Sequence, residues 1–253
     1  MKRLIIKSTL LVTILLSLML ISILIARNSN SASANVNSMP IYRVDREEKW
    51  IALTFDVNWA ERDYLEEILS VLTKNDVKAT FFVMGKWVIY PEDKSDKLLA
   101  IKEGGHEIEN HSYEHPDFQK ITKERMRSEI NKTEEIFKKY GIENKKMFRC
   151  PSGSYNEETL KVADEMGYKV VQWDVDSLDW KETGQEYEYS RVINNVKNGS
   201  IVLFHNNGKY TPANLDKIIK NLKNQGYEFK KIEEILYEKD YFINGEGIQK
   251  NNL

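Results

Sequence analysis

The chain carries a single cysteine, Cys150, in 253 residues, so no intrachain disulfide can form and the fold must rest on its apolar core. It also lacks an excess of either charge. Its 37 Lys and Arg balance 39 Asp and Glu and are interspersed without a basic block, which excludes the electrostatic footprint of a nucleic-acid binder. No internal repeat is present. Long uncharged apolar runs are missing except at the start, where Lys2, Arg3 and Lys7 precede a Leu- and Ile-rich stretch from Ser8 to Ala26 that Arg27 closes.

About 19 residues of this kind are enough to cross a hydrocarbon core, and the stretch is longer than the usual apolar region of a signal peptide. Ala32-Ser33-Ala34 nonetheless offers a small-residue cleavage site. Two readings therefore stand: a membrane anchor over residues 1–27, or a signal peptide removed near Ala34. Positive residues on the amino-terminal side predict that end inside and the body outside. In both cases the body is expected to be exported, with an Asn- and Ser-rich linker over residues 28–45, a functional domain over 46–240 and a tail over 241–253.

From Trp50 onward, short β-rich runs alternate with amphipathic helical stretches, the pattern of an α/β protein with a mainly parallel sheet. The expected strands are 50–55, 79–83, 106–110, 146–149, 169–175, 200–204 and, last, 227–231. Helices are expected over 61–75, where Leu65, Ile68, Leu69 and Leu72 share a stripe, and over 93–102, 122–140, 156–166, 189–197 and 212–224. Thr122 and Asn156 can cap their helices, and Gly104-Gly105, Gly141 and Gly226 stand at helix ends. Gly85 is read as ending the second strand. About seven strand-helix units are too many for a small open sheet but close to a barrel. In parallel barrels chemistry collects at the carboxyl ends of strands, and Asp56, His111, Arg149, residues 176–180 and His205 all fall at such ends.

Those residues form a series. Thr54-Phe55-Asp56 is followed by His111-Ser112-Tyr113-Glu114-His115, Arg149-Cys150-Pro151-Ser152-Gly153, Asp176 with Asp179-Trp180, and Leu203-Phe204-His205. His-x-x-x-His is expected to set two imidazoles on one face of a helical turn, as an open tetrahedral metal site requires. In this order the five signatures resemble the polysaccharide deacetylases of the NodB-homology type, carbohydrate esterase family 4, over about Trp50 to Leu236. The run Phe55-Asp56-Val57-Asn58-Trp59 is most similar to the sporulation-associated branch.

The resemblance implies a divalent metal, zinc or cobalt, on a deformed barrel that removes acetyl groups from N-acetylglucosamine-type sugars of a peptidoglycan or chitooligosaccharide-like glycan. It implies His111 and His115 as metal ligands and Asp56 as base, with Arg149 holding Asp56 ionised. His205 would be the acid, supported by Asp179. A backbone N–H near Ser152 would stabilise the oxyanion, Pro151 would shape that loop, Leu203 would line an acetyl pocket and Trp180 would face a sugar ring. Cys150, within the arginine motif, is read as a packing residue.

The pattern departs from the family at Val57, where a second aspartate ordinarily completes the metal site, and at Ser152, where an aromatic is frequent. A valine cannot ligate. Asn58 or another group lends an oxygen, the metal is bound weakly or by Asp56 itself, or catalysis is lost and glycan binding kept. A third function class also fits the residues: a glycosidase pairing Asp56 with Asp176 or Asp179.

Overall fold

A computed structural model describes residues 39–252. The amino-terminal apolar stretch, with its anchor or signal assignment, and most of the expected linker lie outside the described residues. Among the described residues no helix is long and apolar enough to cross a membrane.

The chain enters through β1 (Arg43–Val44) and then forms β2 (Trp50–Val57) and α1 (Leu65–Lys74). Next come β3 (Thr80–Val83), α2 (Gly85–Ile89), α3 (Ser95–Glu103), β4 (Glu107–Asn110) and the long α4 (Lys123–Lys139). The middle holds β5 (Met147–Phe148), α5 (Glu157–Glu165), β6 (Lys169–Val170), β7 (Val175–Asp176) and α6 (Gln185–Ile193). The last part contains β8 (Ser200–His205), α7 (Thr211–Asn224), β9 (Glu228–Phe229), α8 (Ile232–Ile235), β10 (Tyr241–Ile243) and β11 (Ile248–Asn251).

The sheet is curled. Strands β8, β2, β3, β4, β5 and β6 lie side by side and parallel, with β7 parallel to β8 on its other side. Ile41 bridges Val171 just past β6, and Arg43 on β1 pairs antiparallel with Ser200 on β8. The entering chain thus spans the gap between the two ends of the parallel run, giving the expected deformed barrel. Its seven strands, β2 to β8, are each followed by a helix except β6, which runs through Val171–Asp174 directly into β7.

β2 sits at the centre because Ile51 to Val57 are buried on both faces, the continuous apolar run of a central parallel strand. Strand alternation separates two cores. Ile51, Leu53, Phe55 and Val57 join Phe81, Val83 and Phe204 in the cluster under the helices, which contribute Leu65, Ile68, Leu72, Leu215 and Ile218. Ala52 faces the barrel interior, in the smaller cluster with Phe82, Met147, Val171 and Ile201. A polar layer fills the far end of that interior. Glu107 accepts the Thr80 hydroxyl and the Ile232 amide, and Glu109 accepts the Lys145 and Met147 amides.

Several boundaries differ from those read in the sequence. Gly85, read as ending the second strand, is the first residue of α2, and the strand closes at Val83. The expected strand 169–175 breaks at Gln172-Trp173-Asp174, whose first carbonyl is taken by a side chain at the mouth. α6 lies about a turn earlier than expected because Lys197-Asn198-Gly199 is needed for the turn into β8. A Cβ at Gly199, whose φ is +73°, would sit 1.9 Å from the Val44 carbonyl oxygen. Neither the last strand nor the tail ends as expected: β9 pairs with the start of β2, and residues 241–251 form a hairpin whose second strand pairs with β1. The folded body thus extends past both expected domain limits.

Candidate active site

A cleft of about 410 Å³ opens at the carboxyl ends of the strands, lined by Asp56, Asn58, His115, Ser152, Trp173, Asp176, Trp180, Leu203 and His205. In the strand register Asp56 on β2 lies directly beside His205 on β8, so the expected base and acid share one rim.

Asp56 is buried, and Arg149 Nη1 donates to its Oδ1 at 2.9 Å. Burial alone would raise this carboxyl, but the positive charge available on His111, Arg149 and His205 outweighs it and holds the group below its ordinary value. Arg149 is fully buried with every nitrogen engaged. Nη1 also donates to Thr54 Oγ1 (2.8 Å), Nη2 to the Gln172 carbonyl (2.9 Å) and Nε to the Val171 carbonyl (3.3 Å). Its guanidinium carbon lies 4.0 Å from the centre of the Phe82 ring. A cation so held cannot turn away from Asp56.

His111 follows β4 and is fully buried. Its Nδ1 lies 2.9 Å from the Arg149 carbonyl oxygen. A carbonyl only accepts, so the proton is on Nδ1. Burial, the larger effect, opposed by Asp56, pushes the ring's pKa down to about 4, so at neutral pH Nε2 carries a bare lone pair. That atom is buried, without a hydrogen-bond partner, 3.4 Å from Asp56 Oδ2. A buried imidazole nitrogen with its lone pair unpartnered is a donor available to a cation. The His115 ring lies 4.9 Å from that of His111, nearly edge to face, and burial lowers its pKa also. The residues therefore fit a divalent metal, which His111 and His115 could hold.

The two histidines meet by a route other than the expected helical turn. Residues 111–116 are a loop in which Ser112 (φ +67°) and His115 (φ +58°) take left-handed conformations. The loop is gripped from α4. Fully buried Glu129 Oε2 accepts the backbone N–H of Tyr113 (2.9 Å) and of Glu114 (2.6 Å), and Arg125 lies 2.7 Å from the other carboxylate oxygen. Ser112 Oγ accepts the His115 amide. Glu129 was missed in the sequence, although an acid on a stripe otherwise made of Met126, Ile130, Thr133 and Phe137 was a usable signal.

On the opposite side Asp179, buried, holds His205 twice: Oδ2 accepts its amide and Oδ1 lies 2.7 Å from Nδ1. Burial lowers the pKa of His205, but the Asp179 charge and hydrogen bond, helped by Asp56 and Asp176, raise it on balance. The imidazolium is thereby favoured. Thr211 and the Trp180 amide use the rest of Asp179, which removes it as a free acid for glycosidic chemistry. Gly208 is required here, since a Cβ would lie 2.6 Å from Asp179 Oδ2.

Of the expected substrate contacts, Leu203 and the half-exposed Trp180 line the cleft, as does Ser152, held left-handed at φ +53°. Pro151 does not reach it. It is buried at the start of the turn that presents Ser152. Trp173, unforeseen, lines the cleft, and its ring packs where a Cβ on Gly153 would stand. Val57 is fully buried in the cluster under the helices, on the opposite face of β2 from Asp56.

Residues 43–171 match the family model described as polysaccharide deacetylase. The chain belongs to that family. Its relatives include peptidoglycan deacetylases, which are hydrolases. The peptidoglycan-N-acetylmuramic acid deacetylase PdaA of Bacillus subtilis is 36% identical over 203 residues, covering 79% of this chain and 76% of PdaA. The PdaA structure, described as a family 4 carbohydrate esterase, superposes with a TM-score of 0.72 at 33% identity, over 82% of this chain and 88% of that one. BA3943 of Bacillus anthracis, described as a CE4 family pseudoenzyme, gives 0.71 at 36% identity over 80% and 70%, and a mutant of it is described as having restored enzymatic activity.

Proposed function

We propose that this polysaccharide deacetylase removes N-acetyl groups from N-acetylated sugars of peptidoglycan, using a divalent metal, zinc or cobalt, held by His111 and His115. The observation that carries the reading is the buried, unpartnered Nε2 of His111 beside Asp56, with His205 next to Asp56 on the neighbouring strand. When bound, the metal would activate water and polarise the amide carbonyl.

The protein's own groups do the remainder. Asp56, kept ionised and aimed by Arg149, takes the proton of the attacking water. A backbone N–H in the turn at Ser152 donates to the developing oxyanion. His205, kept charged and oriented by Asp179, gives its proton to the departing amine, which is a poor leaving group otherwise. Leu203 contacts the acetyl methyl, and Trp180 offers its exposed face to a sugar ring.

Purified full-length protein with added zinc or cobalt is expected to release acetate from peptidoglycan or N-acetylglucosamine oligomers, and Asp56→Asn or His111→Ala to abolish release. Absence of acetate with every divalent metal on several glycans would overturn the reading. A second reading, a glycan-binding protein with attenuated catalysis, is motivated by Val57 and the likeness to a CE4 pseudoenzyme. It predicts glycan binding without turnover. Export, and retention at a membrane through residues 1–27, are part of the same proposal, since peptidoglycan lies outside the membrane.

A further inference from the structure

We propose that Asn58 supplies, through its side-chain Oδ1, the third protein ligand of the metal held by His111 and His115. The inference rests on the metal-dependent reading above. It starts from the face of β2 on which each residue falls. Val57, at the position where the family's pattern has a carboxylate, is committed to the apolar cluster under the helices, so nothing reaches the imidazoles from there. Alternation returns the chain to the side of Asp56 one residue later, and Asn58 lines the same cleft as Asp56 and His115.

The state of the Asn58 oxygen is the second observation. Oδ1 is buried and has no hydrogen-bond partner, the condition also of His111 Nε2. Buried polar atoms are almost always satisfied, and two orphaned lone pairs at one mouth point to a shared electrophile. The third observation is the way Asn58 is held. Its backbone N–H donates to Asn206 Oδ1 (3.0 Å), and Asn206 Nδ2 donates to its carbonyl (3.0 Å). The Asn206 amide donates to the Asp56 carbonyl (3.2 Å), and Asn206 is itself buried. One buried side chain therefore fixes the backbone at Asn58 and ties it to Asp56, while the Asn58 side chain carries no structural hydrogen bond of its own. An amide oxygen is a neutral donor suited to hard and borderline cations. With two imidazoles it makes a three-ligand set with an open position, weaker than one containing a carboxylate.

The test is Co²⁺ binding by the full-length chain, with affinity read by competition against a chromophoric chelator and the ligand set by the visible cobalt spectrum. Wild type, Asn58→Ala, Asn58→Asp and His111→Ala are compared. Asn58→Ala is expected to weaken binding by at least about tenfold, the lower end of what even supporting groups contribute, and to change the spectrum. The metal-free melting curve should hold, because Asn206 bonds only to the backbone of residue 58. Asn58→Asp, equal in shape but charged, is expected to bind Co²⁺ more tightly than wild type. Wild-type affinity and spectrum in Asn58→Ala would overturn the assignment. If His111→Ala abolishes binding in that case, the metal site stands with a different third ligand. If neither wild type nor Asn58→Asp takes up cobalt, the metal-dependent reading falls as well.

Discussion

Removing the carboxylate of Glu129 is expected to loosen the histidine loop more than any surface change on the same helix. In Glu129→Ala the Tyr113 and Glu114 amides lose an acceptor at 2.9 and 2.6 Å, and Arg125 loses a partner at 2.7 Å. Hydrogen bonds to a charged group contribute roughly 1.5–3 kcal/mol each. The two amides lie in a partly exposed loop where water can replace the acceptor, so the expected loss for the pair is about 2–4 kcal/mol. For a chain of this size each kcal/mol moves the melting temperature by about 2–4 °C, which gives a fall of roughly 5–15 °C. Acetate release should fall with it, since His115 loses its fixed position. Glu129→Gln keeps an acceptor and should fall between the two, while Glu124→Ala, exposed on the same helix, should stay within about 0.5 kcal/mol of wild type. Melting curves by circular dichroism and acetate assays on the four proteins check this. A Glu129→Ala protein that melts within about 2 °C of wild type, less than one kcal/mol, would refute the grip.

Asp179→Asn removes the main influence that raises the pKa of His205, leaving burial, which lowers it, opposed by Asp56 and Asp176 alone. Activity needing the imidazolium is lost as pH rises through that pKa, so the alkaline limb of the kcat/KM profile should move to lower pH. An unmoved limb would deny His205 the role of acid. Arg149→Met leaves Asp56 buried beside no fixed cation and should cost about 3–5 kcal/mol in urea melts, while acetate release drops about a hundredfold or more for a misplaced base. Near-wild-type values for both would contradict the pairing. Val57→Asp puts a carboxylate into the cluster under the helices and should lower stability by about 3–5 kcal/mol without tightening Co²⁺ binding. A stable variant with stronger binding would mean that the strand turns at this residue.

Asp56, Arg149 and His205 were legible because each ends a run of β-forming residues, and a polar residue at that point of a parallel barrel can only face the mouth. The central strand was legible for the same reason, as Trp50 to Phe55 reads as buried on both sides. The groups that hold the site were harder to see because their contacts span the chain: Asn206 meets Asn58 across 148 residues, and Glu129 reaches back 15 and 16 residues to the loop. The histidine pair was found for a reason only half correct. Spacing of four suggests a helical turn, yet two left-handed residues and a carboxylate from another helix bring the rings together. The carboxyl-terminal hairpin had a signal in Tyr241-Phe242-Ile243 followed by a Gly-containing turn to Ile248, but its partner β1 is two residues long and too short to be read as a strand.

Cys150 stands directly after the arginine that anchors the mouth, fully enclosed by apolar neighbours, and burial pushes its thiol far above the range in which it ionises. An oxidising surrounding therefore finds no thiolate to couple, and two copies of the folded chain cannot be cross-linked through sulfur. The same seclusion makes this sulfur a native reporter: its rate of alkylation measures how often the wall behind Arg149 opens, and ligands that brace the mouth should slow it.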